Sequence, residues 1–117
     1  MPLTEFDKEI AREIKRIIDA HPGMHYSTGY LAEKAAISET SLKRLFKTLF
    51  KTTLHAYIAQ QRMQYATQLL QQNQKTIRQV SRLIGFKTSS NFTRAFKKYT
   101  GLPPAKYRNQ KIKENGK

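Results

Sequence analysis

The chain has 117 residues, with 22 lysines and arginines against 8 acidic residues and a formal charge of +14 at neutral pH. That length suits one domain with a real hydrophobic core, and that charge suits a polyanionic partner. With no cysteine, disulfides and thiolate metal sites are excluded; with no basic start leading into an apolar run and no apolar stretch near the ~20 residues that span a bilayer, a soluble, cytoplasmic protein is expected.

The charge is unevenly spread. Seven of the eight acids lie at or before Glu39 and the eighth is Glu114, so residues 40–113 hold sixteen lysines and arginines and no acid. A merely solubilising surface usually alternates both signs. The one-signed stretch points to a polyanion, with DNA, RNA and an anionic membrane as the competing partners.

Thr4 followed by Asp7 has the form of a capping box, and Phe6, Ile10, Ile14, Ile17 and Ile18 recur at helical spacing, which predicts a first helix over about 5–20. His21-Pro22-Gly23 stops it, and the same break denies His21 and His25 the helical spacing of a metal pair. Ser27 can cap a short helix over about 28–35 with Leu31, Ala32 and Ala35 inward. After the connector Ala36-Ile37-Ser38, Ser38 caps a third helix from Glu39 to Phe50 whose stripe of Leu42, Leu45, Phe46 and Leu49 packs inward. At about 100° per residue the opposite face is Thr40, Arg44, Lys47 and Lys51, with Lys43 on its flank.

Thr52 or Thr53 opens the longest helix, about 54–72, whose buried side carries Leu54, Tyr57, Ile58, Ala66 and Leu69 until Asn73 ends it. Arg62 lies on that side and reads as a structural buried charge, with Glu33 or Glu39 as its expected partner. Thr76 then caps a helix from Ile77 to Ile84, Gly85-Phe86 turns the chain, and Thr88 caps a helix to about Tyr99 with Phe92, Ala95, Phe96 and Tyr99 inward. Ala105 to Arg108 can form one more turn before a basic tail, 109–117, that is expected to fray.

One pattern occurs twice. Leu42-Lys43-Arg44-Leu45-Phe46-Lys47 returns as Phe92-Thr93-Arg94-Ala95-Phe96-Lys97, each copy after a short helical segment, so the repeated unit is helix, turn, helix. The outer faces match as well: Thr40, Lys43, Arg44 and Lys47 correspond to Ser90, Thr93, Arg94 and Lys97. A core repeat needs only the inner match, so matched outer polar residues indicate a shared task. Thr40, Lys43, Arg44, Ser89, Ser90, Thr93 and Arg94 are expected to reach base edges, with both arginines able to pair bidentately with guanine. Lys47, Lys97 and the helix-start hydroxyls Ser27, Thr76 and Thr88 are expected to hold phosphate.

Residues 6–108 resemble the DNA-binding domain of the AraC/XylS family of bacterial transcription regulators. The resemblance rests on Arg62-Met63-x2-Ala66-x2-Leu69-Leu70, Ile77-x2-Val80-Ser81-x2-Ile84-Gly85-Phe86, Phe92-x3-Phe96-Lys97-Lys98 and Gly101-x2-Pro104-x2-Tyr107-Arg108, and in the first half on Leu31-Ala32, Ser38, Leu42 and Phe46-Lys47. The chain departs from the family pattern where Lys51 and Ala36 replace glycines and Ser81 replaces alanine. The resemblance implies one all-α domain over 1–117, of about seven helices, with helix-turn-helix units at about 28–50 and 77–99 joined by the linker helix 54–72. It further implies that a monomer sets one recognition helix into each of two successive major grooves of double-stranded DNA and recruits RNA polymerase. Many family members carry a separate effector-binding or dimerisation domain ahead of this one. The early first helix fits either a stand-alone regulator or a fragment of a longer one able to dimerise through an N-terminal domain, with the fragment preferred.

Two other classes compete. An enzyme needs convergent catalytic groups, whereas His21, His25 and His55 have no metal spacing, no glycine-rich phosphate loop occurs, and the acids cluster in the charged first helix; no cofactor is expected. A non-specific nucleoid or RNA-binding protein shares the charge, and differs in being indifferent to base sequence.

Overall fold

A computed structural model describes residues 2–115, the side chain of Asn115 excepted. Seven helices follow one another: α1 (Glu5–Ala20), α2 (Thr28–Ala35), α3 (Glu39–Phe50), α4 (Leu54–Gln72), α5 (Ile77–Leu83), α6 (Ser89–Thr100) and α7 (Pro104–Asn115), with no strand among the described residues. The chain forms two compact units, Met1–Gln61 and Arg62–Lys117, and α4 contributes its first turns to one and its remainder to the other.

Side-chain oxygens start most of these helices, each accepting from the backbone N–H three residues on. Thr4 and Asp7 form a reciprocal capping box, as do Thr76 and Gln79; Ser27, Ser38 and Thr88 cap α2, α3 and α6, and Thr53 accepts from Ala56 N–H at 3.0 Å before α4. Each cap satisfies a donor that a helix start would otherwise leave orphaned.

The first unit packs Ile14 and Ile18 of α1, Leu31 and Ala32 of α2, Leu42 and Phe46 of α3, and Leu54 and Ile58 of α4 around one another. A polar clasp ties the end of α1 to α4, where Asp19 accepts from the Tyr57 hydroxyl, from Gln61 Nε2 at 3.0 Å and from Lys15 Nζ at 2.9 Å. Burial alone would raise the Asp19 pKa, but these three donors outweigh it and hold the carboxyl below its ordinary range.

The second unit packs Met63, Ala66, Leu69 and Leu70 of α4 against Val80, Ile84, Phe92 and Phe96, with Phe86 and Tyr107 at its margin. Arg62 is 8% exposed. Its partner is neither Glu33 nor Glu39: Nε donates to the Ile84 carbonyl at 2.7 Å, and the guanidinium lies 4.5 Å from the Phe86 ring centroid. Ile84 closes α5, so its carbonyl has no helical successor to bind and takes a side-chain donor instead. Burial lowers the Arg62 pKa from its ordinary value, and the ring face and carbonyl replace the water that the cation gives up.

Three expectations need correction. Phe6 is 69% exposed and Tyr99 44% exposed, although both continue inner stripes, because the cores they point along end at Ala11 and Phe96, and periodicity alone does not say where a core stops. Residues 109–115 are helical rather than a frayed tail. Pro104 opens α7 where its missing N–H costs nothing, Tyr107 packs edge-on to Phe96 at 5.3 Å between ring centroids, and Arg108 Nε donates to the Leu70 carbonyl at 3.0 Å. Two anchoring side chains thus hold a helix of polar composition. The last two residues of the expected tail lie outside the described residues.

The two helix-turn-helix turns share their hydrogen bonds. Ile37 N–H reaches Ala32 O at 3.1 Å as Phe86 N–H reaches Ser81 O at 2.9 Å, and both recognition helices end when the residue at 51 or 101 donates back to Lys47 or Lys97. These exits require left-handed backbone: Gly85 and Gly101 supply it in the second unit at φ 87° and 88°, whereas Ala36 and Lys51 adopt φ 57° and 63° in the first. A Cβ there costs on the order of 1 kcal/mol per residue.

Arg62→Ala is expected to lower stability by about 3 kcal/mol in urea unfolding, from a lost charge-assisted bond to a buried carbonyl and a lost ring contact; an unchanged midpoint would remove Arg62 from the framework. Lys51→Gly should raise stability by about 0.5–1 kcal/mol, the relief of strain exceeding the added freedom of the unfolded chain. Gly101→Ala should lower it by about 1 kcal/mol through backbone strain alone, since a Cβ at Gly101 meets nothing within 4 Å.

Candidate nucleic-acid interface

Recognition helix α3 is held in rotation by Leu42, Leu45 and Phe46, all buried, so Thr40, Lys43, Arg44 and Lys47 are necessarily exposed. In α6, buried Phe92 and Phe96 leave Ser90, Arg94 and Lys97 exposed, with Ser89 and Thr93 half-buried. Thr40, Lys43, Arg44 and Lys47 thus share one solvent face of α3, and Ser90, Arg94 and Lys97 one of α6, with Thr93 on its flank and Ser89 on the side of the buried anchors.

The charges on these faces have no internal partners. All four ion pairs among the described residues join neighbours along α1 or α7: Lys8–Glu5, Lys15–Asp19, Arg16–Glu13 and Lys111–Glu114. Lys43, Arg44, Lys47, Arg94 and Lys97 appear in none, so an incoming phosphate or base edge displaces only water and counterions. The cap hydroxyls Ser27, Thr76 and Thr88 each accept from a backbone N–H and keep their own proton, which leaves them free to donate to an anionic oxygen.

A cleft of about 310 Å³ in the second unit, lined by Arg78, Ser81, Arg82, Lys87, Thr88 and Ser89, adds three cations that sequence reasoning missed. Arg78 and Arg82 stand four residues apart on α5 and so on one helical face; that spacing was a readable signal. Lys87 occupies a position with no counterpart in the first unit, since the turn-to-cap distance there is one residue shorter, from Ile37 directly to Ser38 against Phe86, Lys87, Thr88. Ser81, buried against Val80, donates to the Arg78 carbonyl at 2.8 Å, which explains how a hydroxyl is accommodated at an inner position. Among the described residues no group of three or more His, Asp or Glu is placed to hold a metal ion.

Residues 31–110 match the model of a helix-turn-helix domain of AraC/XylS type. The chain belongs to the AraC/XylS family. It is 32% identical over 94 residues to the probable transcriptional regulator LumQ of Photobacterium leiognathi, covering 80% of this chain and 38% of that one. It is 31% identical over 108 residues to the probable transcription factor PqrA of Proteus vulgaris, covering 92% of this chain and 83% of that one. Among solved structures, an AraC-type transcriptional regulator from Chromobacterium violaceum superposes with a TM-score of 0.78 at 28% identity, over 88% of this chain and 92% of that one. The chain spans only 38%, 37% and 30% of three of its curated relatives, LumQ, the Msm operon regulatory protein and AlkR.

This AraC/XylS-family chain has an all-α, two-unit helix-turn-helix fold. Its family consists of regulators rather than enzymes, and none of the described helices is long and apolar enough to cross a membrane. Because the exposed cations of α3 and α6 form no ion pair, affinity for duplex DNA should fall steeply with salt, with a log–log slope of several units. Titrations between low and physiological ionic strength measure it, and a flat response would contradict an electrostatic footprint.

Proposed function

We propose that the chain is a bipartite reader of double-stranded DNA, each unit setting one recognition helix into the major groove. The supporting observation is the pairing of Arg44 with Arg94 and of Lys47 with Lys97: all four are exposed, free of ion pairs, and at equal angles from the buried Leu42–Phe46 and Phe92–Phe96 anchors. Arg44 and Arg94 each present a planar fork that matches guanine N7 and O6, which Lys43, Thr40, Ser90 and Thr93 supplement with single hydrogen bonds. Lys47, Lys97 and the hydroxyls of Ser27, Thr76 and Thr88 grip phosphate and set register. Arg78, Arg82 and Lys87 extend that grip in the second unit, and half-buried Ser89 borders it.

The units differ in how they read. Two long cations, Lys43 and Arg44, stand together on α3, whereas α6 presents Arg94 among hydroxyls, which leaves more of its selectivity to groove fit. The protein acts in the bacterial cytoplasm at the nucleoid, binds as a monomer through this segment, and influences RNA polymerase at promoters; a longer parent chain would add effector binding or dimerisation.

Arg44→Ala and Arg94→Ala should each relax base preference in a different part of the site, about one helical turn or ~10 bp apart. Each should cost about 1–3 kcal/mol on the preferred site and less on random DNA, whereas Lys47→Ala or Lys97→Ala should weaken both almost equally. Binding-site selection from random duplexes with each variant measures this. Preferences lost at the same base pairs would argue against two readers, and no preference in the parent protein would favour a non-specific nucleoid or RNA-binding role.

A further inference from the structure

The DNA-reading role uses α3, α5 and α6 and leaves a groove between α1 and α2 without a task. Ile10 and Ile17 of α1 and Ala35 of α2 form its apolar surface, α1 adds Glu9 and Glu13, α2 adds Lys34, and its volume is about 260 Å³. Phe6 stands one helical turn before Ile10 and is largely exposed, so the apolar strip continues along α1 beyond the groove. A strip of large apolar side chains bordered by charge is the usual mark of a protein contact rather than of idle surface.

Charge decides what can sit there. The groove's lining carries two carboxylates, Glu9 and Glu13, against one cation, Lys34, in a chain whose residues 40–113 contain no acid. Glu9 takes part in no ion pair among the described residues, and Glu13 pairs only with Arg16, a neighbour along α1 that does not line the groove. A nucleic-acid backbone or an anionic membrane is repelled by this rim, and the volume lies below the ~300–1,000 Å³ of small-molecule sites, leaving room for side chains presented by a helix. A single strip of this size is also small against the ~1,200 Å² or more that a stable self-association buries.

We propose that the α1–α2 groove docks an amphipathic helix of another protein, one whose aliphatic side chains enter beside Ile10, Ile17 and Ala35 and whose lysines or arginines meet Glu9 and Glu13. The apolar contacts supply affinity and the carboxylates supply orientation and partner choice. None of these groove residues belongs to the DNA-reading set, so the same molecule can hold DNA and this partner at once.

The probe is a designed amphipathic peptide of about 18 residues, long enough to be helical in isolation, with leucines on one face and lysines flanking them. It is titrated into the methyl-labelled full chain beside a twin peptide carrying glutamates at the flanks. Saturable shifts confined to the methyls of Ile10, Ile17 and Ala35, with the lysine peptide at least about tenfold tighter, are expected. Ile10→Glu should abolish the shifts. Glu9→Lys, at an exposed position that leaves the core intact, should weaken the lysine peptide at least about fivefold and strengthen its twin. Shifts spread over the recognition helices, equal binding of the two peptides, no saturation, or concentration-dependent dimerisation that Ile10→Glu removes would each overturn the proposal.

Discussion

The rotational phase of the two recognition helices governs everything else in this protein. A helix has one freedom that matters for reading DNA, its rotation about its own axis, and in α3 and α6 this is removed by two large side chains four residues apart, Leu42 with Phe46 and Phe92 with Phe96, all fully buried. Rotating either helix by half a turn, about 180°, would expose a phenylalanine and bury an arginine; the transfer cost of the ring alone is about 1.5–3 kcal/mol, and an unpaired buried cation costs more. The reading face is therefore fixed by residues that never touch DNA. Aromatic neighbours tighten the arrangement, since Phe46 packs on Phe50 and Tyr57, and Phe96 on Phe92 and Tyr107.

The same anchors explain which parts of the molecule are legible in the sequence. Helix starts are local events: the five hydroxyls at Thr4, Ser27, Ser38, Thr76 and Thr88 were readable as caps because the donor each accepts from lies three residues on. The inner and outer faces were readable because the anchor spacing is also local. Non-local pairing was not. That Arg62 would be buried followed from periodicity, but that it would bind a carbonyl 22 positions away rather than an acid did not. The extent of α7 beyond the turn expected over 105–108 was not legible for the same reason: its composition is polar, and what holds it is the contact of Tyr107 with Phe96 and of Arg108 with Leu70 O, 38 positions distant. The basic cleft of the second unit lay between the two cases. Arg78 and Arg82 were spaced to share a face, but their meeting with Lys87 depends on how the turn folds.

The halves also differ in how they meet an identical backbone requirement. Each turn and each recognition-helix exit needs a left-handed residue, and glycine fills both places in the second unit while Ala36 and Lys51 fill them in the first. The departures from the family's glycines therefore change the energy of these exits and not their geometry, because the hydrogen bonds to Ala32 and Lys47 form regardless. At position 51 lysine puts a further cation beside the exposed face of α3, so on the proposed reading the strain is set against an electrostatic attraction to phosphate that glycine cannot supply.

Charge placement completes the division between surfaces that read and surfaces that do not. Carboxylates other than Glu33 of α2 and Glu39 at the start of α3 lie in α1 and α7, and those two helices hold all four ion pairs among the described residues. An acid three or four residues from Arg44 or Arg94 would do more than subtract one unit of charge. It would bind the arginine, which on the proposed reading would then have to break that bond before reaching guanine, forfeiting about 0.3–0.5 kcal/mol and part of its orientation. The single acid of these helices, Glu39 at the start of α3, lies outside that spacing, so both arginines meet no competitor on their own helix. Their specificity then depends on the shape and base edges presented by the duplex, which is the condition under which two otherwise similar helices can select different bases.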